Sequence, residues 1–156
     1  MISVAASVKE FPMPDWLKID DLLISLSAAA VVVFGARQIP RLLAGVPFVT
    51  PAVVHQKISD GADVLVLDVR EPAEFTDALG HIKGAVNIPL GQVADRLSKN
   101  SAALKDYADT PIYVVCRSAN RAASAARVLK KAGLTQIAVM SGGMMRWNRD
   151  SLPTIR

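Results

Sequence analysis

The chain has 156 residues, 51% of them hydrophobic, a formal net charge of +4 and one cysteine, Cys116. That length supports one domain with a short appendage, and a core large enough to need no covalent staples. A lone cysteine excludes an internal disulfide and any cysteine-based zinc site, and with only His55 and His81 besides, neither a metal nor a cofactor is expected. Aromatic residues make up 5% of the chain and no Lys/Arg run is interleaved with them, which argues against nucleic acid as a partner.

Residues 1–45 form an N-terminal segment. Leu22 to Ala36 is apolar on every side, broken only by Ser25, Ser27 and Gly35. A helix with no polar face belongs in a core or a membrane. At 1.5 Å per residue it reaches about 22 Å, short of a hydrocarbon layer of about 30 Å. It is a candidate single-pass anchor, against a membrane-surface helix or one packed on the domain. A cleaved signal peptide is disfavoured, because Lys9 and Lys18 are outnumbered by Glu10, Asp15, Asp20 and Asp21. Arg37 and Arg41 after the apolar run place the C-terminal side in the cytoplasm, a reducing compartment that suits a free thiol. Ala44 to Pro47 reads as the joint to a second region, residues 46–156.

In that region Thr50-Pro51 is a helix start, with Thr as N-cap and Pro at the first helical position. The helix runs to Ile58 and Asp60-Gly61 ends it. Val64 to Leu67 is a continuous apolar run ending at Asp68, the pattern of a strand covered on both faces. Pro72 to Phe75 reads as a short helix, Ala85 to Ile88 as a short strand, and a further helix follows Pro89 to about Leu97. Ile112 to Val115 is a strand, Ala122 to Ala132 a helix, Ile137 to Met140 a strand, and Gly142-Gly143 opens a last helix through Trp147. Alternating strands and helices imply a parallel α/β sheet with helices on both faces. The site of such a sheet lies at the carboxyl ends of its strands, where Asp68 and Cys116 both fall.

Cys116 opens the stretch Cys116-Arg117-Ser118-Ala119-Asn120-Arg121, between a strand and a helix start. A helix N-terminus and two flanking arginines favour the thiolate, which is the nucleophile. A buried free cysteine serving as a small hydrophobe is the plainer reading, but these neighbours are not core residues. From Cys116 onward eight basic residues face one acid, Asp150, whereas Met1 to Val115 carries 10 basic and 13 acidic residues. The basic excess is therefore expected to surround the thiol and to draw small anions to it. Arg127, Lys130 and Lys131 read instead as a solvated helix face. Backbone N–H groups at the helix start would cradle a negative charge, and Arg117 and Arg121 would receive an oxyanion on their planar donor forks. Ser118 either hydrogen-bonds the thiolate or caps the helix. His81 reads as structural, so a papain-like Cys-His hydrolase is disfavoured.

Four stretches carry a resemblance: Leu67 to Phe75, Gly80 to Pro89, Cys116 to Arg121, and Gly142 to Trp147. In this order and spacing they look like the motifs of single-domain rhodaneses, the thiosulfate sulfurtransferase-like family, over roughly Phe48 to Leu152. The resemblance implies a five-stranded parallel sheet flanked by helices on both faces, preceded here by the hydrophobic helix. It implies that Cys116 takes the outer sulfur of thiosulfate or a similar donor as a persulfide and passes it to cyanide or a thiol, a ping-pong covalent route. It implies that Asp68 braces the active loop, that Arg70 holds an acidic neighbour such as Glu74, and that Gly142 and Gly143 line the far side of the pocket. Trp147 is expected in the core or pocket wall, and Met140, Met144 and Met145 as core and rim filling. Family loops often carry Gly where this chain has Ala119. Alanine is expected to be tolerated unless the position needs positive φ. Phosphatases of this fold have a loop one residue longer than the four residues between Cys116 and Arg121. A membrane-tethered sulfur carrier or binding module with little turnover is the alternative to a free-standing enzyme.

Overall fold

The computed structural model describes residues 24–33, 45–100 and 107–156. The chain divides into two compact units, Met1–Gln38 and Ile39–Arg156. In the first, residues 24–33 form a helix, α1, exposed along its described length. Ser27 donates its hydroxyl hydrogen bond to the Ile24 carbonyl, one turn back in its own helix. Among the described residues no helix is long and apolar enough to cross a membrane. The span expected over Leu22 to Ala36 is therefore not seen. Leu22, Leu23, Phe34, Gly35, Ala36, Arg37 and Arg41 lie outside the described residues.

The second unit runs β1 (Phe48–Val49), α2 (Pro51–Ser59), β2 (Leu65–Asp68), α3 (Pro72–Phe75), β3 (Val86–Asn87), α4 (Leu90–Lys99), β4 (Ile112–Val115), α5 (Asn120–Lys131), β5 (Ile137–Met140) and α6 (Gly143–Arg149). The strands form one sheet in the order β1-β5-β4-β2-β3, and every pairing is parallel. The three apolar runs of the sequence are its central strands, as continuous hydrophobic patterning requires of strands covered on both sides. Their pleat sorts side chains between two cores. Leu67, Ile112, Val114, Ile137 and Val139 pack with Val93 of α4 and Ala122, Ala125, Ala126 and Leu129 of α5. Val66, Tyr113, Val115, Ala138 and Met140 pack with Val54 of α2 and Met144 and Trp147 of α6. Each fully buried valine contributes about 1.5–3 kcal/mol, and Val54, Val69, Val114, Val115 and Val139 are all fully buried.

One expected strand is shorter than its apolar run, and one strand is not expected from the sequence. β3 is confined to Val86–Asn87, inside the expected Ala85 to Ile88. β1, unexpected from the sequence, follows directly on the joint read at Ala44 to Pro47, and the joint is itself held: the Val139 N–H donates to the Pro47 carbonyl, and Lys130 Nζ to the Gly45 carbonyl at 2.7 Å. The approach to the domain is thus laid along β5.

The chain leaves β2 toward one edge of the sheet, through β3, and returns to β4 on the other side. This makes the gap between β2 and β4 the switch point where a crevice opens at the carboxyl ends. Asp68 pairs in register with Val115, so Asp68 and Cys116 flank that crevice. The buried face of α5 is built from Ala122, Ala123, Ala125 and Ala126. Such small side chains let the helix lie close to the sheet, with its N-terminus over the end of β4.

Candidate active site

Cys116 follows the last residue of β4 and is 1% exposed. Its Sγ accepts a hydrogen bond from the Ala119 N–H at 3.1 Å. Ala119 is the N-cap of α5 and stands at φ 93, in the left-handed region. This turn aims its N–H back at the sulfur. For a residue with a Cβ that conformation costs roughly 1–2 kcal/mol. The expectation that alanine is tolerated here is thus corrected: the position does demand positive φ, and the side chain is held there under strain. Ser118 neither caps α5 nor bonds the sulfur; it is exposed, as is Asn120.

The loop is pinned from its far side by the first turn of α6. The Met144 N–H donates to the Cys116 carbonyl at 2.8 Å and the Met145 N–H to the Arg117 carbonyl at 3.0 Å. Gly143, at φ 56, makes this approach feasible, because a Cβ there would come within 2.6 Å of the Arg117 carbonyl group. Gly142 caps α6 at φ 77. The two glycines therefore hold the backbone of the cysteine loop. Met140, Met144 and Trp147 are core, with Trp147 Nε1 donating to the Pro153 carbonyl, while Met145 is exposed.

Asp68 and Arg70 are 1% and 0% exposed and form a buried pair, with Arg70 Nη2 2.7 Å from Asp68 Oδ2. Among the described residues every hydrogen bond to the Asp68 carboxylate comes from Arg70, through its N–H, Nε and Nη2. Asp68 therefore braces Arg70 and not the cysteine loop. Arg70 in turn donates to the main-chain carbonyls of Glu74 at 2.6 Å and Gly80 at 2.8 Å. Asn87, in register with Asp68, donates to the Asp68 and Arg70 carbonyls. The sequence reading passed over Asn87; its one signal is a polar residue inside an apolar run.

The Glu74 carboxylate is not bound to Arg70, as expected, but to Arg121. It accepts from Nη1 at 2.6 Å and from Nη2 at 2.7 Å. The reason is placement: α3 lies across from the start of α5, and its end presents a carbonyl, not a carboxylate, to Arg70. A capping box orients the carboxylate further, with the Glu71 N–H donating to it. Arg121 is the main cause that lowers the Glu74 carboxyl from its ordinary 4.5 to about 2. Reciprocally, Glu74 foremost raises the Arg121 guanidinium, and Cys116 adds a smaller pull. Arg117 is 53% exposed and reaches only to 4.0 Å from Asp77.

The basic surround expected from the C-terminal half is thus not what meets the thiol. The crevice also receives Asp68, Glu71, Glu74 and Asp77, against Arg70. Lys130 turns to Gly45, Arg146 and Arg149 to Asp150, and Arg156 to the Ala78 carbonyl. His81 stacks on Phe75 with ring centroids 3.7 Å apart, and its Nδ1 lies 3.0 Å from the Phe75 carbonyl. That is a structural placement.

The profile of the rhodanese-like domain family matches residues 50–150. The chain belongs to that family. This rhodanese-like chain is 31% identical over 102 residues to a sulfurtransferase of Allochromatium vinosum, covering 65% of this chain and 88% of the other. It is 43% identical over 82 residues to YqhL, an uncharacterized protein of Bacillus subtilis, covering 53% and 59% of the two chains. A rhodanese-related protein of Thermoplasma volcanium superposes with a TM-score of 0.56 at 29% identity, over 70% of this chain and 97% of that one. The chain spans between 51% and 59% of the length of three of the curated relatives it matches, YqhL among them. The five-stranded parallel sheet that the resemblance implied is the rhodanese fold observed.

Proposed function

We propose that the rhodanese-like domain is a sulfurtransferase whose Cys116 carries sulfane sulfur as a persulfide. The observation that carries this reading is the setting of Sγ: at a strand end, under the first turn of α5, with the Ala119 N–H donated to it at 3.1 Å. In the first half-reaction the Cys116 thiolate attacks the outer sulfur of thiosulfate or of a persulfide donor. A new S–S bond forms at Sγ, and the inner group leaves with the electron pair as sulfite or a thiolate. In the second, a thiol or cyanide attacks the bound outer sulfur and the Cys116 thiolate is restored. Gly142 and Gly143 hold the loop's backbone against α6, and Asp68 and Arg70 organise the segment across the crevice; Arg117, Ser118 and Asn120 line the loop's open side.

Phosphate-ester cleavage is disfavoured by the four-residue spacing from Cys116 to Arg121 and by the engagement of Arg121 with Glu74. A sulfur carrier that hands its sulfur to one partner uses the same chemistry at Cys116, so it differs in acceptor and not in site. Transfer from thiosulfate to cyanide or to a thiol by the Cys116→Ser variant should fall to background. Transfer at the parent rate would reject the mechanism.

We also propose that α1 attaches the chain to a membrane, with the rhodanese-like domain on the cytoplasmic side. Its described residues are apolar or small, all of them exposed, and Ser27 is satisfied within the helix. A helix with no polar face gains most from lipid.

A further inference from the structure

Two arginines flank Cys116 in the sequence, but the fold leaves them unequal. Arg121 gives both terminal nitrogens to Glu74, at 2.6 and 2.7 Å. A two-point carboxylate–guanidinium pair is among the stronger charge-assisted contacts, and it fills the fork that an incoming oxyanion would use. Arg117 is the more open of the two; Asp77 stands 4.0 Å from it and 3.8 Å from the buried Arg70. Counting the segment 68–77 with the cysteine loop, four carboxylates face three arginines, and Asp68 and Arg70 are already locked to each other. The rim of the crevice is therefore close to neutral and slightly acidic.

This matters because the candidate donors differ in charge. Thiosulfate arrives as a dianion and leaves sulfite, a second dianion, beside the loop. A thiol persulfide brings at most one charge at its reacting end and leaves a thiolate that takes up a proton from water. We propose that Glu74 is a specificity-determining residue: by occupying Arg121 it tunes the Cys116 site to low-charge thiol persulfides over dianionic donors. This rests on the sulfur-transfer reading above. In the favoured step the Cys116 thiolate attacks the outer sulfur of R–S–SH. The bond from Sγ to that sulfur forms, the R–S to sulfur bond breaks, and R–S⁻ departs with the electron pair. The outer sulfur keeps its proton, giving Cys116–S–SH, and no oxidant or reductant enters.

The test compares kcat/KM for thiosulfate and for the persulfide of 2-mercaptoethanol in the full chain and in two variants. Glu74→Gln keeps a hydrogen-bonding side chain of the same length but removes its charge. It should raise the thiosulfate-to-persulfide ratio about tenfold, mainly through the KM for thiosulfate. Asp77→Asn, whose amide oxygen can still accept from the Leu79 N–H as Oδ1 does now, should raise the ratio in the same direction by less. Both variants remove a negative charge from the rim, but only Glu74→Gln frees the Arg121 fork, so a rise that is larger in Glu74→Gln supports the proposal and one that is equal or smaller there overturns it. An unchanged or lower ratio in both variants overturns it. A parent chain whose Cys116 is loaded by neither donor would reject the sulfur-transfer reading itself, and this proposal with it.

Discussion

Ala119 and Glu74 do the least expected work of any single residues in the site. Ala119 holds φ 93 so that its N–H can face Cys116 Sγ. Replacing it with glycine removes roughly 1–2 kcal/mol of strain and returns about 0.4–1 kcal/mol to the entropy of the unfolded chain. Ala119→Gly should therefore be more stable by up to about 1.5 kcal/mol, read as a higher urea midpoint at unchanged slope. A lower midpoint would mean that the left-handed turn is not strained by the methyl group. Cys116 was legible because its neighbours in sequence are also its neighbours in space. The backbone angle at residue 119 was not, since an alanine carries no mark of positive φ. Nor was the partner of Glu74, 47 residues away on α5, which only the packing of α3 against the cysteine loop decides.

At the scale of elements, one buried pair organises the side of the crevice opposite Cys116. Arg70 joins the end of β2 to the carbonyl at the end of α3 and to Gly80. Removing one partner strands the other charge without solvent, at a cost of about 3–5 kcal/mol. Arg70→Met should be destabilised by that amount in chemical denaturation. Asp68→Leu combined with Arg70→Met should lose less than the sum of the single changes, because no charge is then orphaned. Additive losses would show that the pair is not coupled. The central strands β2, β4 and β5 were readable as apolar runs, and α2 from its Thr-Pro start. β3 was readable as a strand but not in its extent, and the two-residue β1 was not readable at all, because two residues establish no period. Hydrogen bonds from β5 and β2 define them instead.

At the scale of the whole chain, charge segregation along the sequence did not survive folding. The acidic stretch after β2 and the basic stretch after β4 meet at the switch point, because these strands are neighbours in the sheet. A net charge counted over half a chain says little about the field at one crevice when the fold brings the halves together. The apolar α1 carries a separate prediction. Changing Val31, Val32 and Val33 together to serine in the full chain should lower its partitioning onto liposomes by more than tenfold, since burying each valine is worth about 1.5–3 kcal/mol. Equal partitioning of parent and variant would count against attachment through this helix.

The central claim, that Cys116 carries sulfur, is tested most directly by intact-protein mass spectrometry after incubation with thiosulfate or a thiol persulfide and removal of the excess donor. The account predicts one added sulfur atom, located on Cys116 by peptide mapping and released by a thiol acceptor. No added sulfur from either donor, or sulfur that remains bound after the acceptor is supplied, would contradict it.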